Sequence, residues 1–382
     1  MQTRNIPIIA DSHYTTSKVY KDITESICRN AARFRMPAEI VHINKNGIDW
    51  DRLPPAVIVT PGSMTYLKKV ISSLQQANKK ILLAGLDSDS FGIDISCISP
   101  SRYFDTFRLI RYLQDCGRGR IALVGFRKDD ITDSIRYPVA VNTINTFDKV
   151  HYADQSFFWN TDLAGCLEDF LKNAGKFNAA VCPNDPVAVH LVKACLDYGI
   201  CIPEDLYIAG FSIMRISSFV KPALTRIATD FSEIGSHALN ILKYIVNNIE
   251  SDIALKIHVP SKLILGESTE NKPEKTPNNV FSSSDLCKVN RSRVRFLGNI
   301  MVKNTLQLEK CLNQRDALDL KIMDCLLKGH SYEAIAENLY ISPSGIQYRV
   351  NKIYNDADVS SRAEFEDLVK KVLGSSNPFD GS

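Results

Sequence analysis

The sequence predicts an α/β fold over about the first 267 residues, built from βαβ units around parallel sheet, followed by a small all-α domain. Three observations carry this. Short β-branched runs alternate with segments of helical periodicity from Ile6 to Val246. Composition then turns polar, proline-bearing and aperiodic from Glu267 to Ser284. Beyond it, three closely spaced helices are punctuated by Asp316, Gly329, Ser331 and Ser342-Pro343, in the pattern of helix caps.

Taken in order, Ile6-Pro-Ile-Ile-Ala10 reads as a first strand and Thr16 to Arg35 as a helix. Residues 40–43, 56–60 and 81–85 are strand-like, with Thr65 to Gln76 helical between the last two. After a crossover near Ser99-Pro100 the pattern repeats. Tyr103–Gln114 is a helix, 120–125 a strand, and Thr132–Thr146 and Asp162–Asn173 are helices. Strands at 179–182 and 206–210 flank a helix over Val187–Tyr198, and Ile234–Val246 is a last helix. Strands spaced by helices of this length make a parallel sheet covered on both faces.

Apolar residues make up 45% and charged residues 23%, the balance of a soluble globular protein, and the 382 residues suggest at least two domains. No apolar run approaches the roughly 20 residues of a membrane span. The stretch after Met1 is too short for a signal-peptide core, so we expect a cytoplasmic protein without membrane association. Ten scattered cysteines without C-x-x-C spacing read as reduced core thiols, and neither a metal nor a cofactor is expected. No G-x-S-x-G, Walker loop, H-E-x-x-H or catalytic Ser-x-x-Lys is present, so an enzyme is not expected.

In parallel sheets, ligands lie beyond the carboxyl ends of the strands. The loops there carry Asp11-Ser-His13-Tyr14, Pro61-Gly-Ser63, Asp87-Ser-Asp89, Asn184-Asp185 and Phe211-Ser212. These groups either face a ligand or cap the following helices; for Ser63 and Ser88 capping is the favoured alternative.

Residues 179–188 (AAVCPNDPVA), continuing through 198–211 (YGICIPEDLYIAGF) and 222–230 (PALTRIATD), resemble the ligand-binding core of LacI/GalR repressors, as does Gly119-Arg-Ile-Ala-Leu-Val-Gly125. That core is similar to type I periplasmic sugar-binding proteins. The resemblance implies a two-lobed sensor over residues 1–267, with three crossovers and a cleft closing on a small polar effector, such as a carbohydrate. It places Arg136, Asn184 and Asp185 on the effector; together with Asp11, His13, Tyr14, Asp87 and Ser212 they form the candidate ligand set. Arg136 could instead pair with Asp130 or Asp133. Two positions depart from the family: Ser212 stands where an acidic residue is common, and Pro138 where a glycine is. Phe157, Phe158 and Trp159 could stack on a ring or pack internally.

Residues 268–286 read as a flexible linker. Segment 287–315, with seven basic residues from Lys288 to Arg315 against Glu309 alone, reads as a basic connector helix that could serve dimerisation. Residues 316–374 are expected to form a helix-turn-helix domain and 375–382 a disordered tail. Ile335, Ala336, Leu339, Ile341, Ile346, Val350 and Ile353 supply a trihelical core. The block Leu326 to Ser342, with Val359-Ser-Ser-Arg-Ala-Glu364, resembles the LuxR/GerE DNA-binding domain. The resemblance implies a recognition helix with Ser342, Ser344, Gln347, Tyr348 and Lys352 facing double-stranded DNA and Arg349 near a phosphate. From Asp316 onward there are seven Lys or Arg against eleven Asp or Glu, so dimerisation or the basic connector would have to supply phosphate neutralisation. The whole reads as a ligand-responsive, homodimeric transcription regulator. The alternatives are a sensor that has lost its ligand and serves for dimerisation or protein interaction, and a helical module that contacts protein instead of DNA.

Overall fold

A computed structural model describes residues 5–33, 37–43, 48–147, 156–159, 161–269, 299–374 and 377–380. Among the described residues, twelve strands form two six-stranded sheets. The first runs β11 (Lys256–Val259), β5 (Ser96–Pro100), β4 (Lys80–Ala84), β3 (Ala56–Val59), β1 (Ile6–Ala10), β2 (Ala38–His42). The second runs β12 (Ser261–Ile264), β10 (Thr225–Thr229), β9 (Tyr207–Phe211), β8 (Ala179–Cys182), β6 (Ile121–Phe126), β7 (Ser156–Phe158). Every pairing is parallel except β10 with β12.

Each central strand is buried on both faces, so its apolar residues divide alternately between two cores. In the first lobe Ile8, Ile58, Leu82 and Ile98 face α1 (Lys18–Arg33) and α7 (Phe231–Asn247). Ile9, Val57, Val59 and Leu83 face α2 (Met64–Gln76). Helices α1 and α7 approach closely because Gly235 has no Cβ; one there would lie 2.6 Å from the Ile23 carbonyl oxygen. In the second lobe Ile121, Leu123, Val181 and Ala209 pack with α3 (Arg102–Asp115) and α4 (Ile131–Phe147). Ala122, Val124, Ala180 and Ile208 pack with α5 (Leu163–Leu171) and α6 (Asp185–Asp197). Helix α4 runs through Pro138, which can give no amide to the turn before it.

The chain changes lobe three times, as the resemblance implies: from β5 into α3, from β10 into α7, and from β11 into β12 across Pro260. The strand at β5 occupies the stretch read from sequence only as a crossover.

Three boundaries differ from the sequence expectation. Ser268 and Thr269, assigned to the linker, belong to the second lobe: Ser268 Oγ donates to the Ile208 carbonyl, and Thr269 Oγ1 lies 2.7 Å from Thr225 Oγ1. The rest of the expected linker, from 270 to 286, lies outside the described residues. Within the connector the described helix is α8 (Ile300–Leu312), capped by Asn299. It is not a solvated spacer: Val302, Leu308, Cys311 and Leu312 are fully buried. Residues 287–298 lie outside the described residues. Finally, 377–380 are docked instead of disordered, with Phe379 fully buried and its ring centroid 5.5 Å from that of Phe219.

Helices α9 (Ala317–Leu327), α10 (Tyr332–Leu339), α11 (Pro343–Asp356) and α12 (Arg362–Leu373) complete the C-terminal domain. Asp316 and Asp319 form the expected capping box on α9, and Ser331 and Ser342 cap α10 and α11. Ile335, Ala336, Ile346, Val350 and Ile353 are buried, with Leu339 and Ile341 packed at the margin. These helices share one continuous apolar cluster with α5 and α6 of the second lobe. Among the described residues the cysteines are free, and no helix is long and apolar enough to cross a membrane.

Candidate functional site

A cleft of about 620 Å³ opens between the lobes, at the carboxyl ends of both sheets. Of the sequence candidates, Tyr14, Arg136, Asn184, Asp185 and Ser212 line it. Asp11, His13 and Asp87 are absent from its wall. The Asp11 carboxylate accepts from the His13 amide at 3.0 Å and the Ser63 amide at 3.1 Å, tying two loops of the first lobe. Asp87 caps the turn at Ser88–Phe91 through the Asp89 amide, and His13 is exposed. Ser63 both caps α2 and lines the cleft, whereas Ser88 is buried inside its turn and does not cap it.

Asp185 and Ser212 are turned on each other. Ser212 and Ser217 hydroxyls both donate to Asp185 Oδ1, while Oδ2 accepts from the amides of Ile213 at 2.9 Å and Met214 at 3.3 Å. The carboxylate is 2% exposed; burial pushes its pKa up, and the four donors oppose that. Its chemistry is that of a clamp on the loop after β9. Asn184 caps α6, its Oδ1 accepting from the Val187 amide at 3.2 Å.

Arg136 pairs with neither Asp130 nor Asp133. Its Nη1 donates to the Pro183 carbonyl at 2.9 Å, and its guanidinium lies 3.8 Å from the Phe211 ring centroid. Burial, reinforced by repulsion from Arg102, lowers its pKa to about 10, still charged at neutral pH. Arg127 takes Asp130 at 2.8 Å. Asp133, fully enclosed and beside Asp130, is pushed up to about 8.

Sequence reading missed Arg102, which lines the cleft, is 8% exposed, and donates from Nη2 to the Gly85 carbonyl at 2.8 Å. Its signal was its place at the first crossover, where a chain segment must face the interlobe space. The aromatic trio Phe157-Phe158-Trp159 is used in packing. Phe157 lies edge-on to Phe170 at 5.4 Å, Phe158 is 5.0 Å from Tyr137, and Trp159 is buried.

On the C-terminal domain, Ser342, Ser344, Gln347, Tyr348 and Lys352 are all exposed along α11 and its cap. Tyr348 is 72% exposed, and Tyr340, in the left-handed turn before α11, is 97% exposed. Arg349 lies elsewhere: its Nη1 donates to Asp319 at 2.6 Å and Asp316 at 3.0 Å, fixing α11 to the start of α9. Arg315 is likewise committed, paired with Asp356 and Asp319 in the interior.

Two sheets, parallel but for one edge strand, three crossovers and an interlobe cleft define a periplasmic-binding-protein-like architecture, and a family model of the periplasmic binding protein-like domain matches residues 110–269. Among particular proteins, the chain is 27% identical over 219 residues to the HTH-type transcriptional regulator pepR1 of Lactobacillus delbrueckii subsp. lactis, covering 54% of this chain and 61% of that one. It is 26% identical over 165 residues to the HTH-type transcriptional repressor PurR of Pasteurella multocida, covering 42% and 49%. The fold is similar to that of the LacI family transcriptional regulator CCPA of Weissella paramesenteroides with bound sucrose. That match has a TM-score of 0.55 and 22% identity, over 70% of this chain and 99% of that one. The chain thus spans about half to three-fifths of the length of these curated relatives.

Proposed function

We propose that this chain is a cytoplasmic, ligand-responsive transcription regulator. A small polar effector enters the interlobe cleft, and the C-terminal helix-turn-helix, of LuxR/GerE resemblance, reads DNA through α11. The observation that carries this reading is a direct connection between the two sites. The loop clamped by Asp185 at the cleft continues into residues 215–218, whose Arg215 and Ile216 amides donate to the Glu309 carboxylate on α8 at 2.7 and 2.8 Å. Helix α8 in turn packs on α11 and α12. Lobe closure therefore has a mechanical route to the exposed face of α11.

In a homodimer, this route would set the spacing of two recognition helices against half-sites about 34–36 Å apart. The relatives' names support a regulator, and the bound sucrose in the similar structure supports a small-molecule cleft. Selection of fragmented genomic DNA by the full chain, beside a Gln347→Ala/Lys352→Ala variant, tests the proposal. Enrichment of a two-fold symmetric site, lost in the variant, is expected. Equal recovery by both proteins at low salt would make the helical domain a protein contact.

A further inference from the structure

We propose that the cleft takes an organic anion, a carboxylate or phosphate ester, held by Arg102 and Arg136 together. This rests on reading the cleft as the effector site and names the chemistry that site selects. Arg102 spends one guanidinium nitrogen on the Gly85 carbonyl; its Nε and Nη1 are buried without a hydrogen-bond partner among the described residues. Arg136 has the same deficit at Nε. Neither is in an ion pair among the described residues, and the two are close enough to repel each other. Buried cations with unused donors are unstable unless a ligand or counter-charge completes them. A guanidinium pair of this kind matches the forked acceptors of a carboxylate or phosphate.

The acids nearby do not supply that completion. Asp130 accepts from Arg127 and from the Thr132 and Asp133 amides. Asp133, enclosed beside Asp130, accepts from the Arg127 amide at 3.0 Å, and burial pushes its pKa up. Asp185 accepts from four donors of its own loops. Asp105, near both guanidiniums, accepts from the Ser261 hydroxyl at 2.6 Å, and Asp87, near Arg102, accepts from the Asp89 amide at 3.1 Å. Among the described residues of the wall, Asp129 is left as a half-buried carboxylate. Asp185 and Asn184, the acceptors that a neutral sugar's hydroxyls would meet, already accept from groups of the protein, and the Ser212 hydroxyl is spent as a donor to Asp185. Three helices, α2, α4 and α6, also direct their amino ends at the cleft, so their dipoles favour negative charge there. Phe211, Phe231, Leu86 and Ile131 line the remaining wall and suit an organic body attached to the anion.

The test is calorimetric titration of the full chain with four probes: citrate and glucose 6-phosphate, and the uncharged glucose and sucrose. The variants are Arg102→Met, which keeps the apolar stem, and Arg136→Gln, which keeps a donor for Pro183. At least one anion is expected to bind, with affinity falling at least tenfold in each folded variant. Citrate against glucose 6-phosphate separates carboxylate from phosphate. Binding of glucose or sucrose undiminished by either variant would overturn the anion and leave the effector cleft standing. Anion binding that both variants leave unchanged would place the anion outside the cleft and overturn the proposal. No binding by any probe, in protein that still selects DNA, would overturn both the anion and the effector reading.

Discussion

At the residue scale, the same polar side chain can meet a ligand or hold a loop, and hydrogen-bond geometry decides which. Asp185 carries the sequence pattern of a ligand residue, yet its two oxygens are filled by Ser212, Ser217, Ile213 and Met214. An isosteric Asp185→Asn exchange turns a donor toward one of those pairs, and loses a charge-assisted bond. Hydrogen bonds to a charged group are worth roughly 1.5–3 kcal/mol, so we expect a stability loss of about 2 kcal/mol. Chemical denaturation followed in the second lobe checks this; an unchanged midpoint would show the clamp to be idle. Arg349 teaches the same lesson. Its position on α11 suggests phosphate contact, but Asp319, 5% exposed, captures it first.

At the scale of elements, α8 is the informative case. Its basic residues Lys303 and Lys310 are exposed, in keeping with a charged helix, while its other face is fully committed. Glu309 is the one acid of the basic segment and makes the principal polar contact with the cleft loop. Burial pushes its carboxyl up to about 7 from an ordinary 4.5, against the pull of the two amides. The folded state then holds a proton that the unfolded chain releases near 4.5. Its contribution is therefore complete below that pH and is lost as pH rises through about 7. We expect wild-type stability to fall over this window more steeply than that of Glu309→Gln, measured as thermal midpoint against pH. Parallel profiles would exclude Glu309 as the titrating group. His190, also at this junction, lies 3.1 Å from the Met301 carbonyl through Nε2 and has its pKa lowered by burial, so its stabilising share is lost on the acid side.

At the scale of the whole molecule, the two-lobed domain and the helical domain are continuous. The second lobe's outer core passes from α5 and α6 through α8 into α9–α12 without a gap. The last turn of chain closes the seam: Phe379 packs on Phe219, while Asn377 and Asp380 bind Asp324 and Lys328. A buried phenylalanine truncated to alanine typically costs about 3–5 kcal/mol. We expect Phe379→Ala to lower the thermal midpoint and expose the segment after Leu373 to proteolysis, with little change to the first lobe. Normal protease resistance would mean the tail adds no stability to the seam.

Periodicity and cap chemistry determined the local structure. Alternating apolar runs gave the parallel strands, and Asp316, Ser331 and Ser342-Pro343 marked three helix starts because caps act within four residues. The location of the cleft was also legible, since it follows from strand direction. Tertiary structure decided what each polar group there does. Whether Asp185 faces a ligand depends on Ser212 to Ser217, about thirty residues away, and whether Arg102 matters depends on a crossover that brings it beside Arg136. It likewise decided that α8 and the tail are core and not connector or fringe, because an amphipathic helix carries no sign of which surface will cover its apolar face.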